Sequence, residues 1–229
     1  RWDYAYTGGD AQGGMTGLNG KRVGIIGTGA TAIQAVPHLG ASAGHLYVFQ
    51  RTPSSVDARY NQPTDPEWAK SLAPGWQQAR MDNFNLLVSG GVADEDMVGD
   101  GWTEILSPIG IATSGGMGPD AMEQIQLKDF QRMERIRARV DEVVQDAATA
   151  EALKPYYDQM CKRPCFNDDY LEAFNRPNVT LVDTQGQGVE AITERGVVVD
   201  GREYELDCLI YGTGFEFQTD YARRTGYQT

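Results

Sequence analysis

Short apolar runs near the start of the chain predict two parallel strands joined by a helix. Residues 23–26 and 46–49 consist largely of branched or aromatic apolar side chains, as in strands that are buried on both faces. Between them, Ile33, Val36 and Leu39 recur at helical spacing, and Gly40 is a suitable end for that helix. A strand, a helix and a strand over this length form a βαβ unit.

The last part of the chain also predicts strands, but in a different arrangement. Residues 179–183 and 208–211 are again apolar runs. Three shorter segments between them alternate apolar and polar residues: 188–192, 196–199 and 203–206. Asp200-Gly201 separates the last two, and Asp-Gly between alternating segments is a strong hairpin signal. These segments predict an antiparallel β-meander.

The middle of the chain has a helical pattern instead. Polar loops that contain proline lead into residues 120–148, where apolar side chains recur at steps of three or four, with one step of five. The charged residues between them are predicted to form a solvated face. The predicted fold class is therefore α/β: a Rossmann-like domain of residues 1–53 and 162–229, a helical insertion of residues 54–161, and a C-terminal antiparallel β-meander.

Composition and charge limit the partners to be expected. Of 229 residues, 41% are hydrophobic and 23% are charged, the balance of a globular protein with a core. Asp and Glu outnumber Lys and Arg by 32 to 20, and the net charge of −12 repels phosphate backbones and anionic lipid. No run approaches the roughly 18 apolar residues of a membrane span. We therefore expect neither nucleic acid nor membrane as a partner.

The cysteines favour a reducing compartment and argue against a metal site. Cys161, Cys165 and Cys208 form an odd and sparse set, which suits the cytoplasm better than a disulfide framework. The neighbouring Cys161 and Cys165 lack the further Cys or His ligands that zinc requires. We expect a cytoplasmic protein without a metal.

The turn after the first predicted strand carries the strongest chemical signal. Gly27 permits a tight exit from the strand, Gly29 lets the backbone approach a pyrophosphate, and Ala32 lets the helix pack close to the strand. The helix N-terminus then offers unpaired N–H groups to phosphates. Such a turn alone is often merely structural, but the strand before it and the helix and strand after it are the context of a dinucleotide site.

The end of the second predicted strand indicates which dinucleotide is bound. NAD sites usually carry Asp or Glu about twenty residues after the glycines, to hold the ribose 2′-OH. Here Gln50-Arg51-Thr52 occupies that place. Arg51 can form a bidentate pair with a 2′-phosphate, and the Thr52 hydroxyl can add a hydrogen bond. This pattern favours NADP; the alternative is that Arg51 is an ordinary solvated residue.

These features occur together in one known family. The chain resembles the NADP-binding region of Baeyer–Villiger monooxygenases, flavoproteins that insert oxygen into ketones. The segments that carry the resemblance, over nearly the whole chain, are Trp2-Asp3, Gly27-Thr28-Gly29-Ala30-Thr31, Gln50-Arg51-Thr52-Pro53, Lys162-Arg163-Pro164, Phe174-Asn175-Arg176-Pro177-Asn178-Val179 and Leu209-Ile210-Tyr211-Gly212-Thr213-Gly214-Phe215. The family usually has Ala-Thr-Gly at Gly212-Thr213-Gly214, which is a mild departure.

The resemblance implies a role for each matching residue. Arg163 would be the catalytic arginine near the flavin and nicotinamide, where its fixed charge stabilises negative charge that develops during oxygen transfer. Without the resemblance, Lys162-Arg163 would be interpreted as plain surface charge. The residues expected to hold NADP(H) are, at the pyrophosphate, Gly27, Thr28, Gly29, Ala30 and Thr31, and, at the 2′-phosphate, Arg51, Thr52 and Lys162.

The resemblance also implies parts that this sequence does not contain. In the family an FAD-binding segment with its own glycine-rich turn precedes this region, the rest of the flavin domain follows it, and a His is expected four residues before Trp2. We therefore expect an inactive fragment of an FAD- and NADPH-dependent monooxygenase. Its partners would be the FAD domain of the parent protein, a ketone and oxygen, with FAD bound mostly outside this chain.

Two alternatives remain open at this stage. One is the NADP-binding part of an N- or S-oxygenating flavin monooxygenase, against which Lys162-Arg163 argues. The other is an isolated, non-catalytic NADP-binding module.

Overall fold

The computed structural model describes residues 2–10, 13–113, 120–214 and 226, and the chain forms two compact units. The first unit consists of Arg1–Pro53 and Ala173–Thr229, and the second is Ser54–Glu172. Phe215, the last residue of the closing family-like segment, lies outside the described residues.

The elements follow one another in a strand-rich, helix-rich, strand-rich order. The α-helices are α1 (Tyr4–Thr7), α2 (Ala30–Ser42), α3 (Pro66–Ser71), α4 (Trp76–Val88), α5 (Gly101–Thr113), α6 (Ala121–Val143) and α7 (Ala147–Leu153). The strands are β1 (Arg22–Ile26), β2 (His45–Gln50), β3 (Val56–Asp57), β4 (Cys165–Phe166), β5 (Val179–Asp183), β6 (Ala191–Ile192), β7 (Gly196–Val199), β8 (Arg202–Glu205) and β9 (Cys208–Tyr211). Within the described part of the chain, no helix has the length and apolar character needed to cross a membrane.

A four-stranded parallel sheet forms the centre of the first unit. Its strand order is β5-β2-β1-β9. Val23 of β1 lies in register with Leu46 of β2 on one side and with Cys208 of β9 on the other. Val23 and Leu46 are fully buried, as expected for the inner strands of a parallel sheet. The parallel order confirms the predicted Rossmann-like α/β fold.

Helix α2 covers the sheet with the apolar stripe that the sequence predicts. Ile33, Val36 and Leu39 are all buried. The prediction that this helix ends at Gly40 is wrong, because it continues to Ser42. A Cβ at Gly40 would lie 2.9 Å from Cγ2 of Val179. The glycine therefore allows the helix to pack against β5 and does not end it.

The predicted β-meander is also present. Strands β6, β7 and β8 form an antiparallel sheet in that order. Asp200 and Gly201, which join β7 to β8, both have positive φ, as the tight hairpin turn requires. Val197 and Val199 of the meander pack with Phe49 of the parallel sheet, and the ring of Tyr204 stacks edge-on against Phe49 at 5.5 Å. The meander thus extends the core of the first unit.

The second unit differs from the predicted insertion at two places. The helix predicted over residues 120–148 is two helices, because Asp146 accepts from the Thr149 N–H and caps α7 as a separate element. The predicted division of the chain at residues 161/162 lies earlier than the division between the compact units at Glu172/Ala173. The reason is that β3 pairs in parallel with β4, which joins the residues after 161 to the second unit.

Candidate functional site

The turn after β1 is built around Gly27. Its φ of +106° lies in a region that residues other than glycine rarely adopt. A Cβ at this position would lie 2.5 Å from the carbonyl oxygen of Gly212. The Gly27 N–H donates to the carbonyl of Phe49 at 2.9 Å. The structure of the chain itself therefore requires a glycine at position 27.

Gly29 is not required in the same way. Its φ of −79° and ψ of −172° are ordinary extended values. Apart from its chain neighbours, no atom of the described residues lies within 4 Å of a Cβ placed there. Gly29 is also the N-cap of α2, so the N–H groups and positive dipole end of that helix lie at this open space. Glycine here leaves room for an external group to approach the backbone, as a pyrophosphate does in dinucleotide-binding turns.

The other predicted members of the turn differ in their surroundings. Thr28 is buried, with 5% of its surface exposed, and its hydroxyl donates to the carbonyl of Thr52 at 3.0 Å. Ala30 is half-buried and Thr31 is exposed. Thr28 therefore joins the glycine turn to the residues that follow β2.

Arg51 and Thr52 follow β2, and both are exposed. Within the part of the chain that the structure describes, no carboxylate forms an ion pair with Arg51. Its guanidinium is thus accessible to an external anion at the carboxyl edge of the sheet. The structure also brings to this edge a carboxylate that the sequence pattern did not indicate. Asp183 of β5 lies in register with Gln50, and its Oδ1 accepts from the Gln185 N–H at 3.1 Å.

The loop after β5 is a second feature that sequence reasoning missed. The Gly186 N–H donates to the carbonyl of Arg51 at 2.9 Å, and the Thr184 hydroxyl donates to the carbonyl of Gln50 at 2.9 Å. A Cβ at Gly188 would lie 4.0 Å from Cδ of Arg51. The loop therefore fixes the main chain at the strand end. Its glycines are the signal for a tight turn, but they do not reveal which strand end it contacts.

The closing glycine motif lies beside the first glycine turn. The Gly212 N–H donates to the carbonyl of Ile26 at 2.8 Å. A Cβ at Gly212 would lie 3.2 Å from the Cβ of Ala32, which is tighter than ordinary packing. A side chain at position 212, where the family that the chain resembles usually has alanine, would therefore fit tightly against α2.

Lys162 and Arg163 belong to the second unit, whereas the glycine turn and Arg51 belong to the first. They follow a short 3₁₀ helix, Gln159–Cys161, and precede β4. Lys162 is half-buried, and its Nζ lies 4.9 Å from the ring centroid of Tyr157. Arg163 is exposed, and its guanidinium carbon lies 6.0 Å from the ring of Trp102.

Burial controls the protonation of two groups near this pair. It raises the pKa of Tyr157 to about 12 and also raises the pKa of the Cys165 thiol. The Cys165 thiol donates to the carbonyl of Arg163 at 3.4 Å. Both groups are therefore neutral at pH 7.

Arginines of α6 bind the segments before and after the Lys-Arg pair. The prediction that the charged residues of this helix form a solvated face is wrong for these arginines. Arg132 is 9% exposed and donates to the Gln159 side chain at 3.1 Å. Arg139 donates to the carbonyls of Val56 and Asn167 at 3.1 and 3.2 Å. These contacts join α6 to β3 and to the loop after β4.

A groove of about 760 Å³ lies next to these contacts in the second unit. Two carboxylates of its lining pair with Arg135, Asp57 at 2.7 Å and Glu104 at 3.0 Å. The Arg135 guanidinium lowers the pKa of Glu104 below its usual value. Phe166 of β4 forms an apolar part of the same wall.

Comparison with known proteins shows what this chain is similar to. No protein-family model matches the chain. The chain is 60% identical over 233 residues to a Baeyer–Villiger monooxygenase of Stachybotrys chlorohalonatus, and the match covers 100% of this chain and 37% of that protein. Over its whole length, the chain is thus similar to one segment of a Baeyer–Villiger monooxygenase.

Two solved structures share the fold. One is the polycyclic ketone monooxygenase from the fungus Thermothelomyces thermophila, with 45% identity and a TM-score of 0.80 over 94% of this chain and 36% of that one. The other is the complex of OTEMO with FAD and NADP, with 27% identity and a TM-score of 0.63 over 87% of this chain and 38% of that one. The chain thus spans less than two fifths of the length of each of these relatives.

Proposed function

We propose that this chain is the NADPH-binding segment of a flavin-dependent Baeyer–Villiger monooxygenase, which inserts oxygen into ketones to give esters or lactones. Its similarity to a Baeyer–Villiger monooxygenase and to a polycyclic ketone monooxygenase supports this activity. The FAD and NADP of the OTEMO complex support the choice of cofactors. When bound, NADPH supplies a hydride and the flavin supplies oxygen transfer.

The observation that carries the proposal is the open space at Gly29 together with the exposed charge of Arg51. Gly29 leaves the N-terminus of α2 accessible to a pyrophosphate. The hydrogen bond from Thr28 to Thr52 joins this turn to the strand end that carries Arg51. One dinucleotide can therefore use both features, with its pyrophosphate at the helix and its 2′-phosphate at Arg51 and Thr52.

The remaining roles of the proposal rest on the family resemblance. Lys162 adds a second positive charge at the 2′-phosphate, where a point charge on a flexible stem suits a phosphate. Arg163 stabilises, with its positive charge, the negative charge that develops when oxygen is transferred to the ketone. The flavin-binding remainder of the parent enzyme is the proposed partner, and three free cysteines are consistent with the proposed cytoplasmic location.

Arg51→Ala tests the cofactor assignment. Loss of one charge-assisted contact is worth about 1.5–3 kcal/mol, so the Kd for NADPH should rise roughly ten- to a hundredfold, while the Kd for NADH changes little. The measurement is a calorimetric titration of the full-length enzyme with each cofactor.

The matched control is Arg195→Ala, which removes the same charge from the β-meander, where Arg195 is 70% exposed and pairs with Glu203. It should leave both affinities unchanged. Equal losses of NADPH and NADH affinity in Arg51→Ala would contradict the assignment of Arg51. An oxygenated amine or sulfide, formed where no ester or lactone is, would instead support the N- or S-oxygenating alternative.

A further inference from the structure

The two neighbouring cations of the second unit point to different aromatic rings. Lys162 has φ −133° and ψ 163°, which is extended backbone. In extended backbone, consecutive side chains project to opposite sides. In agreement with this, Nζ of Lys162 lies over the ring of Tyr157 at 4.9 Å, and the guanidinium of Arg163 lies near the ring of Trp102 at 6.0 Å. The first distance is well within the range of cation–π attraction, and the second is at its limit.

The ring of Tyr157 is held in place from its far end. Its hydroxyl oxygen accepts from the Ser55 N–H at 2.9 Å, and Ser55 is 1% exposed. The carbonyl of Ser55 in turn accepts from the Cys165 N–H at 3.1 Å. Tyr157 is therefore fixed to the main chain just before β3, and the same main chain is bonded to the segment that carries Lys162.

A half-buried lysine gains a defined position from such a ring. A lysine side chain has a flexible four-carbon stem, and it loses rotamer entropy when it binds a phosphate. A ring that already holds the ammonium group at one place removes part of this loss before the cofactor binds.

We propose that Tyr157 is a positioning residue for Lys162: its ring holds the ammonium group in the place from which it contacts the cofactor 2′-phosphate, and Tyr157 thereby contributes to the preference for NADP over NAD. This inference rests on the proposed function, because it assigns to Tyr157 an effect that passes through Lys162. Nothing in it requires Tyr157 to touch the cofactor.

The first test needs no cofactor. Ring currents shift protons that lie over an aromatic face upfield, so the side-chain methylene protons nearest Nζ of Lys162 should be shifted upfield in the NMR spectrum of the full-length enzyme without NADP. Tyr157→Leu should remove the shift, whereas Tyr157→Phe should retain it because the ring remains. Unshifted protons in the unmodified chain, or a shift that survives Tyr157→Leu, would overturn the inference.

The second test separates positioning from a merely structural role. In the full-length enzyme, Tyr157→Leu should raise the Kd for NADP⁺ about 2- to 5-fold, the range of a partly exposed cation–π contact, and leave the Kd for NAD⁺ unchanged. The matched control is Trp102→Leu, which removes the other cation-facing ring and should not alter the ratio of the two Kd values.

A double-mutant cycle makes the outcome decisive. In a Lys162→Ala background, Tyr157→Leu should have no further effect on NADP⁺ binding, because its effect passes through the lysine. Equal effects of Tyr157→Leu in both backgrounds would show a structural role and overturn the inference. If Lys162→Ala alone leaves the NADP⁺/NAD⁺ ratio unchanged, the assignment of Lys162 in the proposed function fails, although the ring contact seen by NMR would still stand.

Discussion

Two alanine substitutions in one turn should separate folding from cofactor binding. Gly27→Ala introduces a side chain at a φ of +106°, with its Cβ 2.5 Å from the carbonyl oxygen of Gly212. Gly29→Ala introduces the same methyl group at an ordinary φ of −79°, where no described atom other than those of its chain neighbours lies within 4 Å. The space for a side chain at position 27 is filled by other atoms of the chain, whereas the space at position 29 is open.

The magnitudes follow from these surroundings. A sparsely populated backbone region costs about 1–3 kcal/mol, and an overpacked contact costs a similar amount, so Gly27→Ala should lower the free energy of unfolding by about 3 kcal/mol or more. At Gly29, alanine restricts the unfolded chain, which stabilises by about 0.4–1 kcal/mol. Alanine is also the poorer N-cap, which offsets most of that gain. Gly29→Ala should therefore change stability by less than about 1 kcal/mol.

Cofactor affinity should respond differently. The methyl group of Gly29→Ala lies where a pyrophosphate would approach the N-terminus of α2 and would weaken at least one charge-assisted hydrogen bond, worth about 1.5–3 kcal/mol. We therefore expect the Kd for both NADP⁺ and NAD⁺ to rise by a factor of about ten or more. Both cofactors are affected because the pyrophosphate is common to them.

Urea denaturation followed by circular dichroism measures the first effect, and titration of the full-length enzyme measures the second. The reasoning would be refuted if Gly29→Ala lowered stability as much as Gly27→Ala, because the space around Gly29 would then be occupied in the folded chain. It would also be refuted if Gly29→Ala bound both cofactors like the unmodified enzyme.

Two further predictions concern charge. Arg163→Ala in the FAD-loaded full-length enzyme should lower the rate of ester formation about a hundred- to a thousandfold, because a stabilising charge is lost. Reduction of the flavin by NADPH should continue. Unchanged ester formation would contradict the catalytic role. The other prediction concerns Asp207, whose carboxylate accepts hydrogen bonds from the guanidinium and the main-chain N–H of Arg22. These bonds lower the pKa of Asp207. Asp207 therefore stabilises the first unit above its unfolded pKa of about 3.9, and this contribution is lost as the pH falls through the lower folded pKa. Asp207→Asn should reduce stability at pH 7 and flatten its decline below about pH 4, and an unaltered acid slope in urea denaturation would count against this linkage.

The parallel sheet and its glycine turn could be predicted because their signals are local. A strand buried on both faces needs consecutive apolar residues, and a turn at positive φ needs glycine, so residues 22–50 display the unit directly. The same holds for the β-meander, in which Asp200 and Gly201 both adopt the positive φ that the hairpin requires. Arg51 was also identified from its position after β2, although its role as a phosphate ligand stays a prediction.

The arginines of α6 could not be interpreted from periodicity. The apolar stripe of this helix shows which face packs, but not that Arg132 and Arg139 reach acceptors on other segments. Their acceptors include the side chain of Gln159 and the carbonyl of Val56. Main-chain carbonyls carry no sequence signal, so such contacts become visible only in the folded chain.

The sequence by itself determined the α/β class, the βαβ unit with its glycine turn and the β-meander, because each depends on residues that are neighbours along the chain. Only the tertiary structure decided that Gly27 is required by packing while Gly29 is open, that the loop after β5 contacts Arg51, and that Tyr157 lies against Lys162. Pairing of β3 with β4, more than a hundred residues apart, also places Lys162 and Arg163 in the second unit. These relations depend on distances between segments remote in sequence, and local propensity does not encode such distances.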